Sequence, residues 1–216
     1  MSVRAVIAGA TGLVGSRCLQ LLLESPRYDH VSSVVRRPIG FSHPKLQEIR
    51  CDFDKLPALP VTDIFCALGT TIKKAGSEEA FRRVDYDYVV QLAEWGLRNG
   101  AKQFLLVSSV GADSKSRNFY LRVKGELEAA VNALPYEAVH IFQPSMLLGS
   151  RVESRPVERI AQYAFTTLEW ALAGRLRKYR GMPVERLAAA MVRVAEKEIP
   201  GRIVYHYDGI LHVAQY

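Results

Sequence analysis

The sequence predicts an α/β protein with a doubly wound, mostly parallel sheet, and three observations carry that prediction. Short apolar, β-branched runs recur between residues 3 and 142; amphipathic helical stretches alternate with them; and a glycine-rich turn joins the first run to the first helix. Alternation of this kind builds a parallel sheet covered by helices on both faces, whose strands read as continuous apolar runs.

The first strand is residues 3–8, Val-Arg-Ala-Val-Ile-Ala. Val14, Cys18, Leu21 and Leu22 then fall at helical spacing within 13–24. Ser25-Pro26 ends that helix, and 30–35, His-Val-Ser-Ser-Val-Val, forms a second strand that stops at Arg36-Arg37-Pro38. Further strands are expected at 46–51, 63–68, 104–108 and 137–142. Ser77 caps a helix whose first turn holds Glu78 and Glu79; Phe81, Val84, Tyr88, Leu92 and Trp95 form its inward stripe, and Asn99-Gly100 stops it. Residues 119–134 form another helix, with an apolar stripe of Val123, Leu127, Ala130, Val131 and Leu134. Beyond residue 150 the pattern changes: 157–173 and 184–197 read as helices, and 202–207 with 210–213 as one or two strands. The whole chain is read as one domain, with a cofactor-binding core over 1–150 and a short substrate or oligomer extension of helix and strand over 151–216.

Composition narrows the function. With 216 residues, 49% hydrophobic and 24% charged, the chain matches a soluble globular protein, and no apolar run reaches the roughly 18 residues of a membrane span. The N-terminus lacks a signal-peptide pattern, which leads to an expected cytoplasmic location. Cys18, Cys51 and Cys66 are three widely spaced thiols without a disulfide or zinc pattern, and the five histidines show no metal-ligand spacing. The net charge of +7 is spread as single residues and pairs among Asp and Glu, a poor footprint for nucleic acid but adequate for a small anionic ligand.

Gly9-Ala10-Thr11-Gly12-Leu13-Val14-Gly15 is a G-x-x-G-x-x-G segment between a strand and a helix, the context of a dinucleotide-binding turn in a Rossmann fold. Glycines there let backbone approach a diphosphate, whose charge meets the N–H groups at the helix start. The end of the second strand selects the nucleotide. A carboxylate there would bond the ribose hydroxyls of NAD; Arg36 and Arg37 stand there instead and favour the 2′-phosphate, so NADP(H) is preferred over NAD(H). Asp52, after the third strand, is placed to meet the adenine amino group.

Tyr120 and Lys124 are i and i+4 on one helix and leave the same face. A phenol is a poor acid or base at pH 7, and an ammonium one turn away stabilises the phenolate by a gross ~4 kcal/mol at about 4 Å and an effective dielectric of about 20. Tyr120 then becomes a usable proton donor to a carbonyl, or acceptor from an alcohol. The pair follows Ser108-Ser109 at the carboxyl end of a strand, where ligands bind in open α/β sheets. Ser109, with Ser108 as the alternative, orients the substrate oxygen, and Lys124 also holds the nicotinamide ribose.

The glycine loop, the basic second strand end, Leu105-Leu106-Val107-Ser108-Ser109 and Tyr120-Leu121-Arg122-Val123-Lys124 together resemble the atypical short-chain dehydrogenases/reductases of the NAD-dependent epimerase/dehydratase-like superfamily. The nearest resemblance is to small NADPH-binding proteins of the Tat-interacting-protein oxidoreductase group, carried also by Cys66-Ala67-Leu68-Gly69-Thr70-Thr71, Val84-Asp85-Tyr86-Asp87-Tyr88, Gly111-Ala112-Asp113 and Glu153-Ser154-Arg155-Pro156. It implies that Leu68, Gly69, Thr70 and Thr71 line the middle of the cofactor, that Phe142 to Leu147 passes the nicotinamide, and that Arg155 reaches the cofactor or an anionic substrate. Two departures stand out. Asp85 occupies the place of an asparagine that many relatives use in a proton relay, and the C-terminal part is far shorter than the lobe that holds a sugar nucleotide in epimerases.

These features favour an NADP(H)-dependent oxidoreductase acting on a small carbonyl or alcohol through Ser109, Tyr120 and Lys124. The alternative is a non-catalytic NADPH-binding sensor acting through a regulatory protein partner. A homodimer through the late helices is expected in either case, and neither a metal, a nucleic acid nor a membrane is.

Overall fold

The computed structural model describes residues 2–149 and 172–215. Seven strands form one sheet: β1 (Arg4–Ala8), β2 (His30–Val35), β3 (Leu46–Arg50), β4 (Asp63–Cys66), β5 (Gln103–Val107), β6 (Ala138–Phe142) and β9 (Gly201–Tyr205), in the order β3-β2-β1-β4-β5-β6-β9. Every neighbouring pair in it is parallel. The strand order reverses between β1 and β4, and in an open α/β sheet such a switch point opens a crevice at the carboxyl ends of the strands. The doubly wound α/β class read from the sequence is the class observed.

Side-chain alternation divides the core into two layers. Ile7, Phe65, Leu105 and Phe142 point to one face, where α1 (Leu13–Glu24), α6 (Val184–Glu196) and α7 (Tyr207–Val213) contribute Cys18, Leu22, Leu187, Met191 and Ile210. Val6, Ile64, Phe104 and Ile141 point to the other, against Leu92, Trp95, Leu127 and Val131 from α4 (Tyr88–Arg98) and α5 (Phe119–Ala133). Each such side chain contributes about 1.5–3 kcal/mol by leaving water. Residues after 172 therefore complete the first layer and supply the edge strand β9. Leu147–Leu148 (β7) and Met182–Pro183 (β8) make a separate two-stranded parallel ribbon that the sequence did not announce.

Two readings need correction. Residues 210–213 are the end of helix α7, not a strand; the four residues Ile-Leu-His-Val are too few to show a period, and here Ile210 is buried within a helical turn. The helix expected over 77–98 is also not uniform. It runs as α3 (Glu78–Arg82), a π-helical turn over Arg83–Asp87, and then α4. The wider turn advances the inward face by one residue, so Asp85 and Val89 are buried where the stripe had Val84 and Tyr88. A short helix α2 (Ile72–Ala75), capped by Thr71, precedes it. The helix expected over 157–173 lies outside the described residues.

His140, in the middle of β6, is fully buried beside Tyr205, whose hydroxyl lies 3.2 Å from its Nδ1. Burial pushes its pKa down from 6.5 to about 4. The folded state thus holds the neutral ring, and the unfolded chain binds the extra proton between those values. Stability is fully present above pH 6.5 and falls by ~3 kcal/mol as the pH drops through about 4. Urea midpoints measured from pH 7 to 4 are expected to show this loss, and His140→Asn to flatten that part of the profile.

Candidate functional site

The glycine turn sits between β1 and α1, at the switch point. Gly9 adopts φ +88, and a Cβ there would stand 2.4 Å from the Ala67 carbonyl oxygen; a Cβ on Gly15 would stand 2.1 Å from that of Gly9. Both glycines are required by contact with backbone. Gly12 differs: its Cβ would meet only the Gly9 oxygen, at 3.2 Å. The Gly12 N–H donates to that same oxygen at 2.8 Å and closes the turn. No side chain caps α1 at Gly12, and its first turn carries no acidic residue. An uncapped helix start beside an open Gly12 is the arrangement a diphosphate needs, since anions are stabilised by the free N–H groups and the positive end of the helix dipole. Ala10 is buried behind the loop, Thr11 is exposed, and Val14 packs into the core. Leu13 reaches towards the end of β7: a Cβ on Gly149 would stand 3.5 Å from its Cδ1, which brings the segment carrying Leu147 beside the loop.

Several of the other expected residues follow the carboxyl ends of strands in the same parallel sheet. Arg36 and Arg37 follow β2 directly, both exposed, and neither forms an ion pair with a described residue. Asp52 follows β3 at the start of a short 3-10 turn, Phe53–Lys55, exposed and with its carboxylate not used as a cap. Leu68, Gly69, Thr70 and Thr71 form the loop after β4, next to β1 in the sheet. Thr71 spends its side chain on capping α2, accepting from the Lys74 N–H at 3.1 Å. Arg155 lies outside the described residues.

Helix α5 presents Tyr120 and Lys124, with Asn118 capping its start. The Tyr120 ring packs 5.5 Å from that of Phe81. Lys124 is buried, its side chain 4% exposed, and its Nζ lies 2.7 Å from Oδ1 of Asp85, itself 1% exposed. The other Asp85 oxygen accepts the Thr70 N–H at 2.8 Å. One carboxylate therefore ties the loop after β4 to the helix that carries Tyr120 and Lys124. Burial alone would lower the Lys124 pKa, but the charge and hydrogen bond of Asp85, with Tyr120 and Cys66 nearby, outweigh it and hold the ammonium above its ordinary value.

The two serines separate. Ser108 is buried, and its hydroxyl donates to Glu128, which also accepts from Gln143 Nε2 at 2.9 Å. Among the described residues Ser109 makes only a 3.4 Å contact with the Val110 carbonyl, so its hydroxyl is the less committed of the two. Burial raises the Glu128 pKa, and the bonds from Ser108 and Gln143 and the charge of Lys124 offset only part of that rise. Glu128 is not singled out from the sequence, and Gln143 enters only as part of the segment from Phe142 to Leu147. The i, i+4, i+8 line of Tyr120, Lys124 and Glu128 on one helix face was the available signal.

Among the described residues, no group of three His, Cys, Asp or Glu side chains could hold a metal, and no helix is long and apolar enough to cross a membrane.

The sequence model described as the NAD dependent epimerase/dehydratase family matches residues 5–119. The rat protein HTATIP2 is 41% identical over 175 residues, covering 76% of this chain and 72% of its own. The protein FMP52, mitochondrial, of Debaryomyces hansenii is 33% identical over 203 residues, covering 90% and 88%. Among solved structures, MoeE5 in complex with UDP-glucose and NAD has a TM-score of 0.70 at 18% identity, covering 98% of this chain and 81% of that one. The human epimerase family protein SDR39U1 with NADPH has a TM-score of 0.60 at 16% identity, covering 94% and 74%. At these identities the two structures show the fold alone. The cytoplasmic location expected from the N-terminus is overturned by the relatives, since FMP52 proteins from several fungi are named mitochondrial.

Proposed function

This chain belongs to the NAD dependent epimerase/dehydratase family, and on that premise we propose that it is an NADP(H)-dependent oxidoreductase that acts on a small carbonyl or alcohol through Ser109, Tyr120 and Lys124. The observation that carries this reading is the Asp85 bridge: a single carboxylate holds Lys124 at 2.7 Å and the Thr70 N–H at 2.8 Å, which ties the Tyr-Lys helix to the loop after β4, the strand beside β1 and its glycine turn, and supports reading them as one site.

In this reading the loop from Gly9 to Gly15 and the α1 start hold the diphosphate, Arg36 and Arg37 the 2′-phosphate, Asp52 the adenine, and Leu68, Gly69, Thr70 and Thr71 the middle of the cofactor. Leu147 borders the nicotinamide end, and Arg155 completes it or takes an anionic group of the substrate. The bound cofactor supplies the hydride. Ser109 orients the substrate oxygen by hydrogen bonding, and Tyr120 moves the proton at its Oη. The names of the fungal relatives lead us to assign the protein to mitochondria.

A panel of small aldehydes and ketones, followed by NADPH absorbance, tests the activity. Turnover on at least one of them is expected. Tight NADPH binding with no turnover on any would replace the proposal by the sensor reading, which draws on the same ion pair because it occupies the Lys124 ammonium. The nucleotide preference has its own measurement. In Arg36→Ala/Arg37→Ala, loss of two charge-assisted bonds is expected to weaken NADPH by about 100-fold and leave NADH within about threefold. Equal losses for both nucleotides would refute the phosphate assignment.

A further inference from the structure

Lys124 is expected to act on Tyr120 as a bare positive charge, yet the structure gives that charge a partner. Its Nζ is buried and lies 2.7 Å from Asp85 Oδ1, while the carboxylate is 1% exposed and anchored through Oδ2 to the Thr70 amide. Asp85 lies in the π-helical turn over Arg83–Asp87, four residues after the buried Phe81, and is buried with it. The titratable groups that face Lys124 are Asp85 from that turn, Cys66 from β4, and Tyr120 and Glu128 from its own helix. Asp85 is the group in direct contact. Glu128 lies two turns beyond Tyr120 and is engaged by Ser108 and Gln143.

Opposite charges at contact distance in a dry site cancel at a third group nearby, so a phenolate on Tyr120 receives little help from the ammonium. We infer that Asp85 tunes the proton-transferring group through Lys124: by neutralising the ammonium it denies Tyr120 the help of a bare positive charge, so that the neutral phenol is the form that enters the reaction, as proton donor to a carbonyl oxygen. Reduction adds one hydride, from the dihydronicotinamide, to the carbonyl carbon. As the C=O π bond breaks, the carbonyl oxygen takes the proton from Tyr120 Oη, and the phenolate left behind recovers a proton from water. The reverse reaction requires that phenolate at the outset. Asp85 is thus a positioning residue that acts through Lys124, and this inference rests on the oxidoreductase reading above.

The test reads Tyr120 directly, without cofactor. Protein carrying ζ-¹³C tyrosine is titrated by NMR, with the Tyr120 resonance identified by its absence in Tyr120→Phe. Asp85→Asn leaves the ammonium unopposed and is expected to move the Tyr120 midpoint down by about one pH unit or more. Asp85→Asn/Lys124→Met removes both charges and is expected to return it to within about half a unit of the parent. An unmoved midpoint in the single variant, with the Lys124 side chain still charged by its ¹³Cε shift, overturns the inference. So does a double variant whose midpoint departs from the parent by about a unit, which decides the matter even where the single variant does not fold. With turnover in hand, the rising limb of alcohol oxidation against pH is expected to move down in Asp85→Asn by the same amount. Absence of turnover on every carbonyl removes the oxidoreductase reading while the NMR titration still decides the charge assignment.

Discussion

In Tyr120→Phe, carbonyl turnover is expected to fall by about 10²–10⁴-fold, the range a positioned proton donor contributes, with NADPH affinity changed by less than about threefold. The substitution removes one oxygen from a side chain whose ring keeps its packing 5.5 Å from Phe81, and the Tyr120 hydroxyl makes no hydrogen bond to a described residue. Folding therefore loses little. Lys124 keeps Asp85 as its partner and stays in place, so the cofactor side of the crevice is undisturbed. The contrast between lost turnover and retained binding is the diagnostic. It is read by single-turnover NADPH oxidation alongside fluorescence titration of the cofactor. Unchanged turnover would remove Tyr120 from the chemistry, whereas parallel loss of turnover and binding would mark it as a binding residue.

How far the site could be read from the chain depended on the range over which each interaction acts. The glycine turn and the Tyr120–Lys124 pair are local: strand, turn and helix spacing place each of them within a few residues, and the structure keeps both arrangements. The strands were legible for the same reason, as buried parallel strands made of short β-branched runs. Asp85 was legible only as a departure from a pattern. Its partner is 39 positions away by number, and it lies in a π-helical turn that periodicity at regular spacing does not reveal. The choice between Ser108 and Ser109 likewise needed Glu128 and Gln143, which arrive from α5 and from the end of β6. In the C-terminal part, residues 210–213 misled because four residues, Ile-Leu-His-Val, fit a strand and a helical turn equally well. What period and turn chemistry fix over one element was recovered; what depends on contacts between elements was not.

The glycine turn predicts a separation of fold from function within a single motif. Gly15→Ala places a methyl group 2.1 Å from the Gly9 carbonyl oxygen, a backbone atom that cannot swing aside as a side chain would. The helix must move off the strand, breaking contacts of Val14, Cys18 and Leu22 with the first core layer. A loss of about 3 kcal/mol or more is expected, at the severe end for overpacking, and it will be visible as a reduced urea midpoint in protein without cofactor. Gly12→Ala carries a methyl that meets only that oxygen, at 3.2 Å, and its backbone lies in the ordinary extended region at φ -84 and ψ 171. Stability without cofactor should therefore stay within about 1 kcal/mol of the parent. The methyl nevertheless stands at the uncapped start of α1, where a diphosphate must approach backbone closely, and NADPH affinity is expected to fall by at least about tenfold, or 1.4 kcal/mol. If Gly12→Ala bound NADPH as the parent does while Gly15→Ala unfolded, the turn would be a packing device alone. Selective loss of binding at Gly12 assigns the open side of the turn to the diphosphate.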